Sequence, residues 1–228
     1  MKKTVKIIGI LFLVLLGICA FLYWNSDENL PTGQSGPAAD ALAKKMLTAL
    51  NHQAYDSTRY VEWSFRGKHF YKWDKHNNTV DVSWNGNRVS LNTLTPTKSN
   101  ILANSTTKSD QELIDYAEKI FNNDSFWLVA PYKVFEPGIE RRLVTYEGQE
   151  ALLVTYTTGG STPGDSYLWL LDATGKPYAY KMWVSIIPVG GMTATWDSWI
   201  TTQSGAILPT EHKLPVGTLD MGSVKAYN

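Results

Sequence analysis

The hydrophobic pattern of this chain changes period as it runs, and each change predicts a different element. Ile7 to Trp24 is one uninterrupted apolar run behind Lys2, Lys3 and Lys6. Residues 25–37 are polar and carry two prolines and two glycines, which predicts a flexible linker. Over residues 38–51, Leu42, Met46 and Leu50 recur every four positions, and Ala39, Ala43 and Leu47 widen the same stripe. That spacing predicts an amphipathic helix. From Tyr60 the period falls to two. Val61, Trp63 and Phe65 alternate with Glu62, Ser64 and Arg66, and residues 70–73 and 79–84 continue the alternation. Asn85-Gly86-Asn87 is a tight hairpin signal leading into a strand over 88–91.

Residues 94–110 are rich in Thr, Ser and Asn and predict a long connection. Ser109, with Glu112 three positions on, predicts a capping box opening a second helix through Phe121, striped by Leu113, Ala117, Ile120 and Phe121. Asn122 to Asp124 is read as its stop. Further strands are predicted over 141–146, 150–157, 167–172, 178–184, 192–201 and 222–227, punctuated by glycine-containing turns. The total is about nine to eleven strands and two helices, without βαβ alternation or internal repeat. The predicted fold is mainly β (α+β): a curved antiparallel sheet forming an incomplete β-barrel, with two helices on or in its open side.

The apolar run divides the chain into residues 1–24, an N-terminal membrane anchor or signal segment; 25–37, a linker; and 38–228, one β-rich domain. Its 18 uncharged residues reach roughly 27 Å as a helix, close to a bilayer core. Tyr23 and Trp24 close it with interfacial rings. Lys2, Lys3 and Lys6 on one side and Asp27 and Glu28 on the other predict a single pass, with the body on the extracytoplasmic (periplasmic) side. Two rivals compete with an uncleaved anchor: lipid modification at Cys19, within Leu16-Gly17-Ile18-Cys19, and cleavage of a signal peptide. Cys19 is the only cysteine, so the body has no thiol chemistry and no disulfide. The whole chain has 21 basic and 21 acidic residues, and without the three N-terminal lysines the balance is 18 to 21. No basic field is left to attract nucleic acid.

Three short phrases stand out in the body: Asn123-Asp124-Ser125-Phe126-Trp127-Leu128-Val129-Ala130-Pro131-Tyr132-Lys133, Phe70-Tyr71-Lys72-Trp73-Asp74, and Trp196-Asp197-Ser198-Trp199 ahead of Leu208-Pro209. Together with the order of early helix, meander, inserted helix and further strands, they resemble uncharacterised extracytoplasmic members of the LolA/LolB-like lipoprotein-carrier superfamily. The resemblance implies an incomplete barrel with helices lining or plugging its open side, and a ligand class of acyl chains held in an apolar cavity. It transfers no functional residue.

Catalytic and metal-binding patterns are sparse. His52, His69, His76 and His212 show no helical pairing around a carboxylate, and neither a Gly-x-Ser-x-Gly elbow nor a phosphate-binding Gly-Lys-[Ser/Thr] follows any strand. No metal and no cofactor are implied. Asp74, Asp172 and Asp197 lie beside aromatic strand residues, which leaves open a small carboxylate-dependent enzyme acting on a saccharide. Asp74 and Asp172 also suit turn positions, where Asp bonds the local backbone. The nine tryptophans are the stronger signal, since a surplus of rings on a concave face makes an apolar pocket with indole N–H groups at its rim. Trp63, Phe65, Trp127, Trp169, Trp183, Trp196 and Trp199 are the candidate ligand-binding residues. Trp183, among Met182, Val184, Ile186 and Ile187, fits a lipid cavity best. The expected function is therefore a membrane-tethered protein that binds a lipophilic ligand: a lipid, a lipoprotein acyl chain or an apolar metabolite. The partners expected are the membrane through residues 7–24 and such a small molecule or acylated protein. A structural role beside an envelope protein is the further alternative.

Overall fold

A computed structural model describes residues 27–158 and 163–228. The expected anchor over 1–24 and the Cys19 rival lie outside them; among the described residues no helix is long and apolar enough to cross a membrane.

Alternating strands build three antiparallel sheets. The first has six strands in the order β14-β1-β2-β3-β4-β5: β1 (Tyr60–Phe65), β2 (His69–Asp74), β3 (Thr79–Trp84), β4 (Asn87–Asn92), β5 (Asn100–Ala103) and β14 (Lys225–Tyr227). The second is a meander of five: β6 (Ile139–Tyr146), β7 (Gln149–Tyr156), β8 (Ser166–Leu171), β9 (Pro177–Trp183) and β10 (Met192–Thr195). The third comprises β11 (Ser198–Thr201), β12 (Ile207–Leu214) and β13 (Gly217–Asp220). It joins the other two. Ser64 N–H donates to the Met221 carbonyl at 3.1 Å and Arg66 N–H to that of Asp220 at 2.8 Å, while Lys213 N–H reaches Thr195 Oγ1 at 3.0 Å. The sheets follow one another as a curved wall that does not close, so the expected mainly β, incomplete-barrel architecture is what the chain adopts.

Two main helices face that wall. Helix α1 (Pro37–Ala49) buries Ala39, Ala43 and Met46 and packs on β6 and β7; Arg141 Nε meets Asp40 Oδ1 at 2.7 Å. Asn51, in the left-handed region at φ 53°, turns the chain into the short α2 (His52–Ser57). His52 therefore opens a helix of its own. Helix α3 (Asp110–Val129) starts as expected: Ser109 Oγ accepts from Glu112 N–H and the Glu112 carboxylate accepts from Ser109 N–H. It does not stop at residues 122–124. Asp124 faces inward and finds buried partners there, so the helix continues to Val129 before a 3-10 turn over Ala130–Lys133. One contiguous core unites rings and aliphatics from α1, α3 and all three sheets.

Three further differences have local causes. The connection over 94–110 contains β5, an edge strand whose side chains are largely exposed and so carry no alternation. The strand expected over 192–201 is broken at Trp196-Asp197, where the chain leaves the second sheet for the third. Strands β12 and β13 were not expected: Pro209, Glu211 and a buried His212 interrupt one, and the other is a short exposed edge. The described part of the linker is docked rather than free. Gln34 exchanges both backbone hydrogen bonds with Leu143, at 2.9 and 2.8 Å, and a Cβ on Gly33 would come within 2.7 Å of the Leu143 carbonyl. Only glycine permits that approach.

Candidate ligand site: an aromatic interior behind a helix

The period of two in β8 and β9 sends Trp169, Tyr167, Tyr180 and Met182 to the inner face of the second sheet. The corner at Trp196 adds another ring, and α3 supplies Phe126 and Trp127 from the opposite side. Trp169 meets Trp196 edge-on with centroids 4.8 Å apart, and Tyr180 meets Trp169 at 5.1 Å and Trp127 at 5.7 Å. Trp199 lies 5.7 Å from Trp196 and turns its indole N–H to the Pro177 carbonyl at 3.0 Å. Four of the expected residues, Trp127, Trp169, Trp196 and Trp199, thus share one cluster. Trp63 and Phe65 belong to a second group on the first sheet, where Trp63 stacks on Tyr71 at 4.5 Å and both rings approach Phe121 of α3.

Trp183 stands apart, contrary to its expected place with Met182. Neighbours on a strand point to opposite faces. Met182 faces the main core, whereas Trp183 joins Val144, Ala151, Leu153 and Leu168 on the outer face of the second sheet. Its N–H donates to the Glu28 carbonyl at 2.6 Å. Beside it lies an open groove of about 460 Å³ between residues 27–30 and the turn after β9, lined in part by Leu30, Asp165, Trp183, Val184 and Ile187.

The inner rings fill their space but not their hydrogen-bonding capacity. Among the described residues, the indole N–H groups of Trp63, Trp73 and Trp169 and the Tyr156 hydroxyl are buried without a hydrogen-bond partner, and the Tyr180 hydroxyl, which faces the Trp196 indole N–H, has no acceptor for its own proton. Native proteins leave few such groups, because each forgoes the hydrogen bonds that water would supply. Burial also pushes the Tyr156 and Tyr180 hydroxyls well above their ordinary pKa, so both remain neutral donors.

Two buried polar contacts hold α3 over these rings. Asp124, 1% exposed, accepts from Tyr71 Oη at 2.5 Å, lies 2.7 Å from His69 Nδ1 and accepts from Asn123 Nδ2 at 2.8 Å. His212, fully buried, lies 2.7 Å from the carbonyl oxygens of Trp127 and Thr195, tying the end of α3 to β10. Pattern reading missed both histidines, since their partners lie 55 and 85 residues away. One local signal did exist: the Trp127 carbonyl would ordinarily accept from residue 131, and Pro131 has no N–H.

The carboxylates considered for catalysis are engaged locally or open to solvent. Arg59 beside Asp74 holds its carboxyl below the usual range, and Asn77 also binds it. The Thr174 hydroxyl and nearby backbone N–H groups do the same for Asp172. Asp197 is exposed. Burial pushes Lys75 down to about 8; its ammonium sits 3.6 Å over the Tyr55 ring and donates to the Tyr55 carbonyl, linking α2 to the β2–β3 turn. Among the described residues no group of three or more His, Cys, Asp or Glu could hold a metal.

No protein-family model matches the chain, and no curated protein does. Among solved structures, the chain is similar to a DUF1329 family protein from Desulfovibrio piger ATCC 29098. The two share 9% identity at a TM-score of 0.40, over 82% of this chain and 92% of that one. This degree of likeness assigns neither ligand nor activity.

Proposed function

We propose that this protein binds a lipophilic ligand bearing acceptor oxygens between its curved wall and α3. A lipid, a lipoprotein acyl chain or an apolar metabolite with ester or carboxyl groups has that chemistry. The observation that carries the reading is the set of five buried ring N–H and O–H donors without acceptors among the described residues. Rings alone would serve a dry core. Rings whose donors lack acceptors serve a guest that brings them, with apolar contact supplying most of the affinity and the donors its orientation. The order of elements, which resembles that of the lipoprotein carriers, supports the same ligand class. Helix α3 is the element that would move, because it lies over the rings and is joined to the wall by side-chain packing and two polar contacts rather than by a continuous ladder.

A second reading, a structural partner in an envelope complex, draws on the filling of the interior by the chain's own side chains. The two separate on one variant. Tyr156→Phe removes an unpartnered hydroxyl at constant shape, so thermal stability should hold or rise. Affinity for a fluorescent fatty acid, measured on residues 27–228, should fall about two- to tenfold, the value of one hydrogen bond. Absence of fatty-acid binding by the parent protein would favour the structural reading.

A further inference from the structure

The start of the described chain is fixed to one hairpin. Asp27 Oδ1 accepts from Gly190 N–H at 2.8 Å, Glu28 N–H donates to the Gly190 carbonyl at 3.1 Å, and the Glu28 carboxylate pairs with Lys181 Nζ at 2.5 Å. A Cβ on Gly190 would lie 2.5 Å from the Glu28 carbonyl, and one on Gly191 2.7 Å from Glu28 Cβ. The strap therefore sits where glycine leaves room for backbone against backbone. That places the point where the N-terminal run meets the body. The uncharged stretch ends at Trp24, three positions before Asp27 in the sequence.

The same end of the molecule displays apolar side chains. Ile186, at the tip between β9 and β10, is 75% exposed, and Leu30 on the strap is 42% exposed; Ile187 lies half-buried beside them, lining the groove with Leu30. No lysine or arginine lies at the tip, residues 184–191. Of the acidic groups nearby, Glu28 is paired, Asp27 accepts a backbone N–H, and buried Asp165 accepts from Ser185 N–H at 2.9 Å.

We infer that the β9–β10 tip, with Leu30, is a membrane-contact surface that seats the body against the bilayer holding residues 7–24. The inference rests on reading that run as a membrane segment. It adds a fixed orientation: the docked strap replaces a free tether, and the groove beside Trp183 faces the lipid. Contact at the tip works through apolar area, so it is indifferent to salt, unlike docking by a basic patch.

The full chain with Cys19→Ala, reconstituted in phosphatidylcholine vesicles, tests this. A polarity-sensitive fluorophore is placed at Ile186→Cys and, as a reference, at Leu94→Cys, an equally open position (74% exposed) beyond β4 on the first sheet. The probe at 186 should shift to the blue and be quenched by lipids brominated along the acyl chain, equally at about 0.05 and 0.5 M salt; the probe at 94 should do neither. Protein that floats with the vesicles while position 186 responds no more than position 94 overturns the inference and leaves the membrane segment standing. Protein that does not float overturns both.

Discussion

His212 is a residue whose surroundings ask for opposite things. Its two ring nitrogens each lie 2.7 Å from a backbone carbonyl, an arrangement that the doubly protonated ring satisfies and the neutral ring satisfies on one side only. Burial opposes the charge and is the larger influence, so the pKa lies below the ordinary 6.5; the carbonyls of Thr195 and Trp127, then Asp197 and Glu211, pull the other way. A histidine whose pKa is depressed on folding binds fewer protons folded than unfolded. Its contribution to stability is thus fully present above about pH 6.5 and is lost as pH falls below it. Chemical denaturation between pH 7.5 and 5 should show this loss. His212→Gln should flatten that part of the profile and lower stability at neutral pH by about 1–3 kcal/mol, since the Trp127 carbonyl has no donor from Pro131 to replace the ring. An unchanged pH profile in the variant would remove His212 from the account. None of this was visible in the local pattern around His212, because a buried polar residue within a strand looks like an outward one until its partners are known.

At the level of elements, local signals specified what local physics controls. The stripe Leu42, Met46, Leu50 and the Ser109–Glu112 capping box marked two helix starts within a residue of where they occur, because periodicity and capping act within one or two turns. The meander from Tyr60 to Asn92 was legible for the same reason: its inward positions alternate and its turn at Asn85-Gly86 takes positive φ at both residues. Ends decided by tertiary partners were not legible. Asn122 to Asp124 reads as a stop until His69 and Tyr71 receive Asp124. Helix α1 supplies the direct test of packing at this scale. Met46 is fully buried on the face toward β6 and β7, so Met46→Asp should place an unpaired charge in the core and lower stability by several kcal/mol. Loss of the cooperative thermal transition is the expected readout, and an unchanged midpoint would mean that α1 is a dispensable cover.

For the whole molecule, a curved and unclosed wall with α3 laid across it follows from a chain that is strand-rich, short of charge and crowded with rings. The ring count indicated an aromatic interior. It did not indicate which rings share a space: Trp127, Trp169, Trp196 and Trp199 meet through a corner between two sheets, and Trp183 falls on the other face because strand parity puts it there. Nor does any pattern reveal that five ring donors among the described residues lack acceptors, a property of the packed interior alone. Under the proposed function those donors mark the place of a ligand. The most direct test of the proposed ligand is native mass spectrometry of the full chain purified from its source cells: a species heavier than the chain by the mass of one lipophilic molecule, weakened on Tyr156→Phe, which keeps the shape of the interior, is the expected result, and a spectrum containing only the bare chain, with no uptake of added lipid, would contradict it.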